Sequence, residues 1–121
     1  MEPSRAPSAF THPAIPAAVL RYDRSHRIRY ASPGASEIFG LPGEQLLGRT
    51  LAQTGRLSWC GGWHLAVADV FASGEPLVLE CPSPRDAGRH YESVLLPEFF
   101  PADWVGSVLE LVYDRTNDRA D

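Results

Sequence analysis

Prolines and glycines divide this chain into short segments, and their positions constrain the fold more than any other feature. Breaks fall at Ser32-Pro33-Gly34, at Pro42-Gly43, at Gly74 and in the stretch 81–88. Elements between such breaks must be short, because proline lacks a backbone donor and glycine readily ends a helix. At 121 residues, the chain is predicted to form a single domain built from short helices and strands.

Alternation of apolar and polar residues, together with one continuous apolar run, predicts five strands. The first two flank a polar turn at 23–26, and the third is the apolar run Leu77-Val78-Leu79 after Pro76. The last two are predicted at about 90–96 and 105–113. Helical patterns occur only between the second strand and the third.

Two short helices and one longer helix are predicted in that interval. Ser32 is placed to cap the first, and Gly40 to end it. The second lies between Pro42 and Gly48, and the longest has an apolar face that ends at Gly74. The order of elements therefore predicts an α+β fold, with a five-stranded antiparallel sheet covered on one face by these helices.

Charge and hydropathy exclude several classes of partner. Fifteen acidic residues outnumber eleven basic ones, and the basic residues are all arginines scattered along the chain, which argues against nucleic-acid binding. The longest apolar stretches, such as 14–20 and 105–112, are too short to span a bilayer. Four prolines interrupt the first sixteen residues, so a secretion signal is not indicated. These features predict a cytoplasmic protein with no membrane partner.

No pattern of catalytic or metal-ligating residues is present. Cys60 and Cys81 lack the spacing of a zinc site, and nothing in the sequence indicates a disulfide between them. Asp69 and His64 are five residues apart, a spacing that does not align them on one face of a helix. Nucleophile motifs and phosphate-binding loops are lacking as well. We therefore predict that the protein is not an enzyme and holds no metal.

Five segments in the right order resemble the PAS family. The segments from Tyr22 to Ser32 and from Ala35 to Arg49 are similar to the first half of a PAS domain. Val70-Phe71-Ala72-Ser73-Gly74-Glu75-Pro76 is similar to the end of its long helix and the turn into the third strand. Leu95-Leu96-Pro97 and Tyr113-Asp114-Arg115-Thr116 resemble its last two strands and exit motif. The resemblance covers about residues 14–117. It departs from the family at Ser32, where many members have asparagine, and at Arg115, where an aliphatic residue is usual.

The resemblance implies a sensory domain rather than a catalytic one. PAS domains bind small molecules, respond to light or redox state, or simply dimerise, and they pass the signal to an effector such as a histidine kinase or cyclase. We expect a flexible arm at 1–13, the PAS domain at 14–117 and an exit segment at 118–121, with the effector domain absent from this chain. A homodimer is the expected assembly. The alternative is a ligand-free PAS module that only dimerises.

The resemblance also places a candidate apolar pocket between the helices and the inner face of the sheet. Neither cysteine matches the family's flavin-reactive motif, and no pattern identifies a ligand or cofactor. On the longer helix, Val67 and Phe71 are the candidate lining residues. His64 is included because haem-binding members use a histidine on that helix, although its position beside Trp63 predicts that it points outward.

Strand periodicity supplies the remaining candidates. If Glu92 faces water, Tyr91 and Ser93 face the pocket. The same rule places Glu110 outward, so that Leu109, Leu111 and Tyr113 face the helices. The outer face, which would then carry Val108 and Val112, is the predicted dimer surface.

Overall fold

A computed structural model describes residues 15–50, 52–54, 62–82, 88–100 and 104–115. The predicted arm at 1–13 and exit residues at 118–121 lie outside these ranges. The described elements are β1 (Ala18–Tyr22), β2 (Ile28–Ala31), α1 (Pro33–Phe39), α2 (Gly43–Leu46), a 3₁₀ turn (Ala52–Thr54), α3 (Trp63–Ser73), β3 (Leu77–Pro82), β4 (His90–Phe99) and β5 (Val105–Asp114).

The five strands form one antiparallel sheet in the order β2-β1-β5-β4-β3. The last strand of the chain therefore lies at the centre, between β1 and β4. Leu20 of β1 and Leu95 of β4 both pair with Glu110 of β5. The predicted fold class, a five-stranded antiparallel sheet with a few helices, is confirmed.

Glycine ends two of the helices as the sequence predicts. Gly40 and Gly74 adopt left-handed conformations, with φ of 75° and 70°. Their backbone N–H groups donate to Ser36 O at 2.8 Å and Val70 O at 2.9 Å, which satisfies carbonyls left unpaired at the helix ends. The longer helix therefore stops where the chain turns towards β3.

The predicted side-chain cap of the first helix is wrong. Ser32 does precede α1, but no side-chain capping bond forms there. Its hydroxyl instead accepts a hydrogen bond from Val19 N at 2.8 Å, and Ser32 N donates to Val19 O at 2.9 Å. Ser32 therefore links the start of α1 to β1, because its hydroxyl oxygen accepts a hydrogen bond from the strand rather than from the helix.

Two apolar clusters lie on opposite faces of the sheet. The larger contains buried residues of β1, β4 and β5 together with helix residues such as Leu46, Val67 and Val70. The smaller is centred on Val94 and Tyr113 and consists only of strand residues within the described part of the chain. We call the helix-covered side the inner face and the other side the outer face.

The structure corrects the predicted orientation of β5. Val108 and Val112 belong to the inner cluster, whereas Leu111 and Tyr113 belong to the outer one. Leu109, which pairs with Arg21 and Leu96, lies on the outer face as well. The prediction failed because it placed Glu110 in water, as is usual for a carboxylate, whereas Glu110 is fully buried on the inner face.

Cys81 of β3 is buried in the inner cluster and is disulfide-bonded, which its sequence context did not indicate. The chain's other cysteine, Cys60, lies outside the described residues.

We predict that Gly34→Ala destabilises the domain. A Cβ atom built on Gly34 would lie 1.9 Å from the carbonyl oxygen of Ala17, so the backbone of α1 and the residue that precedes β1 would have to separate. Overpacking of this kind costs about 1–3 kcal/mol. Gly43→Ala is the matched control, since a Cβ there meets no atom within 4 Å. Urea unfolding should show a lower midpoint for the first variant only; equal midpoints would contradict the close contact.

A second prediction concerns the ion pair on the outer face. Arg21 donates two hydrogen bonds to Glu98, at 2.8 and 3.0 Å, and Ser107 donates a third at 2.6 Å. The hydrogen bond from Arg21 holds the pKa of the Glu98 carboxyl below its ordinary value of 4.5, against the opposing effect of burial.

A carboxyl with a lowered folded-state pKa stabilises the fold fully above its unfolded value, and this contribution is lost as pH falls through the folded value. Below about pH 4.5, the unfolding free energy of the wild type should therefore fall more steeply than that of Glu98→Gln. Denaturant titrations across this range measure both slopes, and parallel slopes would refute the assignment.

Candidate functional site

A buried carboxylate lies at the centre of the inner face. Glu110 has 0% exposure, and its two oxygens accept hydrogen bonds from different strands. Tyr22 Oη of β1 donates to Oε1 at 2.6 Å, and Ser93 Oγ of β4 donates to Oε2 at 2.6 Å. We call Tyr22, Ser93 and Glu110 the inner-face polar cluster.

The strand register brings these three residues together. Glu110 pairs directly with Leu20 and Leu95, so Tyr22 and Ser93 are its diagonal neighbours on either side. Their side chains share one face because residues two apart along a strand point the same way. The three central strands are thus joined by short side-chain hydrogen bonds inside the core as well as by their backbones.

The surroundings of the cluster are apolar. Leu20, Ile28, Val67, Val70 and Val108 are all fully buried in the same core. In such a medium a carboxylate is costly unless hydrogen bonds compensate for the lost water, and charge-assisted bonds are the strong ones. The cluster is therefore a strong acceptor site inside an otherwise apolar interior.

The structure brings some of the predicted site residues to this interior. Val67, Tyr91 and Ser93 are buried on the inner face, and Ser93 belongs to the polar cluster itself. Phe71 is partly buried against the core, and its ring stacks on His26 at a centroid distance of 5.3 Å.

The other predicted residues are placed differently. Leu109 and Leu111 lie on the outer face, away from the polar cluster. His64 is within α3, but its side chain is outside the part of the chain that the structure describes, as is that of Trp63. Within the described residues, no group of three or more potential metal ligands is present.

The sequence analysis missed Tyr22 and Glu110. One signal for Glu110 was available: it is the only charged residue among the eight from Val105 to Val112. A lone acidic residue between apolar neighbours on both sides is compatible with burial, but the hydroxyls that compensate it are 88 and 17 residues away in sequence. Only the pairing of the strands in the folded protein brings these hydroxyls next to Glu110.

A separate groove lies on the surface, beside the edge strand β2. It has a volume of about 440 Å³ and is lined by residues of β2, α1, α2 and the segments that adjoin them, including Tyr30, Glu44 and Leu47. The side chains of Tyr30 and Leu47 are both nearly half exposed. The groove is therefore open to solvent and does not have the enclosed character of the inner-face site.

We predict that Tyr22→Phe destabilises the domain, because Glu110 then loses a hydrogen bond that water cannot replace. A buried acceptor left unsatisfied costs about 1–3 kcal/mol. Tyr30→Phe is the matched control, since Tyr30 lies exposed on β2. Thermal unfolding should separate the two variants, and equal melting temperatures would mean that the Tyr22 hydroxyl contributes nothing.

In the described residues, no helix is both long and apolar enough to cross a bilayer. No curated protein is similar enough to the chain to count as a match.

Solved structures share the architecture. The PAS domain of BvgS from Bordetella pertussis is 15% identical, with a TM-score of 0.67 over 80% of this chain and 75% of that one. A sensory box sensor histidine kinase from Vibrio cholerae is 10% identical, with a TM-score of 0.68 and coverages of 88% and 86%. The PAS domain of histidine kinase ThkA is 21% identical, with a TM-score of 0.65 and coverages of 79% and 96%.

The TM-scores of these structures show a common fold, and a match to a family model shows that the chain belongs to a family. The model described as PAS fold matches residues 13–120, which is most of the chain. It includes the strands that carry the inner-face polar cluster and the segment that follows β5. The chain belongs to the PAS fold family.

Proposed function

We propose that this PAS domain binds a small, mostly apolar molecule at the inner-face polar cluster and relays its presence to an effector such as a histidine kinase. The observation that carries the proposal is the full burial of Glu110 among apolar side chains, with hydroxyl donors on both of its oxygens. Ligand sites are commonly apolar with a few precisely placed polar groups that fix the orientation of the ligand.

The chemistry of the cluster defines the class of ligand. The carboxylate is an acceptor, so a ligand that contacts it carries an N–H or O–H donor, such as an amine or amide group. The rest of the molecule is apolar, to match neighbours such as Val67, Leu95 and Val108. Tyr91 and Phe71 are the proposed aromatic contacts of this site, and His64 remains a candidate from the sequence alone.

Dimerisation is the proposed means of relay. The outer face carries Leu96, Leu109 and Leu111, which are only partly buried in the single chain. An apolar face of this kind is suited to burial against a second copy. Two of the similar solved structures are described as coming from histidine kinases, which supports an effector of that class.

A ligand-free dimerisation module is the second candidate. It is favoured by the tight packing of the inner core, where Leu20, Ile28, Leu46 and Val70 have no exposed surface. In that case the polar cluster serves only to hold the central strands together.

Native mass spectrometry of the freshly purified chain distinguishes the two candidates. We predict extra non-covalent mass that disappears under denaturing conditions, because a buried acceptor site retains its ligand through purification. Glu110→Gln should lose most of this mass, since the neutral amide accepts hydrogen bonds more weakly than a carboxylate. Glu98→Gln is the matched control on the outer face and should retain it.

The same spectra report the oligomeric state. A dimer without added mass, in the wild type and after incubation with a set of small apolar amines, would contradict the ligand-binding proposal and support the second candidate.

A further inference from the structure

The outer edge of β2 is covered along only part of its length. β2 is an edge strand of the sheet, with β1 as its neighbour. At its start, Ile28 N donates to Arg49 O at 2.9 Å, and Gly48 N donates to Ile28 O at 2.7 Å. Arg27 and Thr50 form an isolated antiparallel bridge next to these bonds. Residues 48–50 therefore act as a short additional strand, and their pairing with β2 ends at Ile28.

The end of β2 presents its backbone to the surface. Ser32 N donates to Val19 O, so these residues form a hydrogen-bonded pair across β1 and β2. Such pairs alternate with non-bonded pairs along antiparallel strands, and the next pair is Ala31 with Leu20. The N–H and C=O of Ala31 therefore point away from β1. In the described part of the chain, no backbone bond joins Ala31 to a residue outside the strands. An edge of this kind is a template for a further strand.

The surface groove beside β2 lies next to this edge. We call it the β2 groove, and its lining includes Arg29, Tyr30 and Ala31 of the strand together with Glu44 and Leu47. The side chains of Tyr30 and Leu47 are 46% and 49% exposed and offer an apolar contact. A volume of about 440 Å³ suits a few side chains rather than the surface of a folded domain.

Glu44 gives the β2 groove its uncompensated charge. Carboxylates elsewhere on the sheet are held by arginines: on the outer face, Arg115 Nε donates to Glu92 Oε1 at 3.0 Å, and both side chains are only 9% exposed. Within the groove, the positive charge of Arg29 is balanced, because its Nε donates to Asp23 Oδ2. The Glu44 carboxylate has no such partner among the described residues. It is therefore placed to attract a basic side chain.

We propose that the β2 groove binds an extended segment of a partner protein, which adds a strand at Ala31. An apolar side chain of the segment lies against Tyr30 and Leu47, and a basic side chain lies beside Glu44. In strand addition of this kind, backbone bonds supply affinity and the side-chain contacts supply specificity. This site is separate from the inner-face polar cluster and does not depend on a ligand there.

A second copy of the chain fits the β2 groove less well than a peptide. The open part of the edge is short, because residues 48–50 cover its start. A stable dimer buries about 800 Å² on each partner, far more than this part of one strand offers. The chain also carries a net charge of −4, which favours a basic partner over an identical one.

Fluorescence anisotropy of the full chain with a labelled peptide of alternating valine and arginine tests the proposal. We predict saturable binding, which Glu44→Gln weakens about threefold, as expected for the loss of an exposed ion pair. Glu75→Gln is the matched control, since Glu75 is exposed between α3 and β3 and its loss changes the net charge equally. This control should leave the affinity unchanged. A peptide of alternating valine and glutamate should bind about tenfold more weakly.

Hydrogen exchange at Ala31, followed by NMR, tests where the peptide binds. Saturation with the valine–arginine peptide should slow exchange of the Ala31 amide about tenfold, because that N–H becomes bonded. The amide of Ile28 is the internal control, since it already donates to Arg49 and should change little.

Four outcomes would overturn the proposal. Equal affinities of Glu44→Gln and Glu75→Gln would mean that net charge alone holds the peptide. Binding without slower exchange at Ala31 would place the peptide elsewhere on the molecule. Slower exchange at Ala31 with rising protein concentration, in the absence of peptide, would assign the groove to a second copy of the chain. Lack of saturable binding up to about 1 mM peptide would exclude strand addition by this class of segment.

Discussion

The hydrogen bonds to Glu110 are the constraint on which the rest of this domain depends. A carboxylate in the core is tolerated only when donors replace water, and here the donors come from the strands on both sides of β5. The pairing of β1 and β4 with β5 must therefore place Tyr22 and Ser93 diagonally beside Glu110. A slip of one residue in either pairing would turn a donor to the opposite face, so the polar cluster specifies the register as well as stabilising it.

Local signals in the sequence predicted the elements well. Gly40 and Gly74 end helices in conformations that glycine adopts without strain, and alternation together with one apolar run predicted all five strands. The orientation of β5 could not be predicted in this way, because apolar residues occupy both of its faces. The prediction therefore relied on the usual exposure of acidic side chains, and Glu110 is an exception. Ser32 shows the same limit, because its hydroxyl could accept a hydrogen bond either from the start of α1 or from β1. In the structure it accepts from Val19 N of β1.

The candidate site was predictable only in part, for a related reason. Val67, Tyr91 and Ser93 follow from periodicity within one element, and each lies where that periodicity placed it. Tyr22 and Glu110 become a site only through contacts between distant parts of the chain. The Glu92–Arg115 pair could not be predicted for the same reason. Arg115 is visible in the sequence as a departure from the family's exit motif, but its partner is 23 residues away.

Both buried carboxylates use β4 and β5, from opposite faces of the same two strands. Glu110 depends on Ser93, and Glu92 depends on Arg115, with Glu92 and Ser93 joined by a single peptide bond. Neither carboxylate can change its partner without the backbone between them responding, because a packed sheet transmits displacement rather than absorbing it. The outer-face ion pair therefore constrains the same two strands as the inner-face polar cluster, since removing either partner of a buried pair leaves an uncompensated charge.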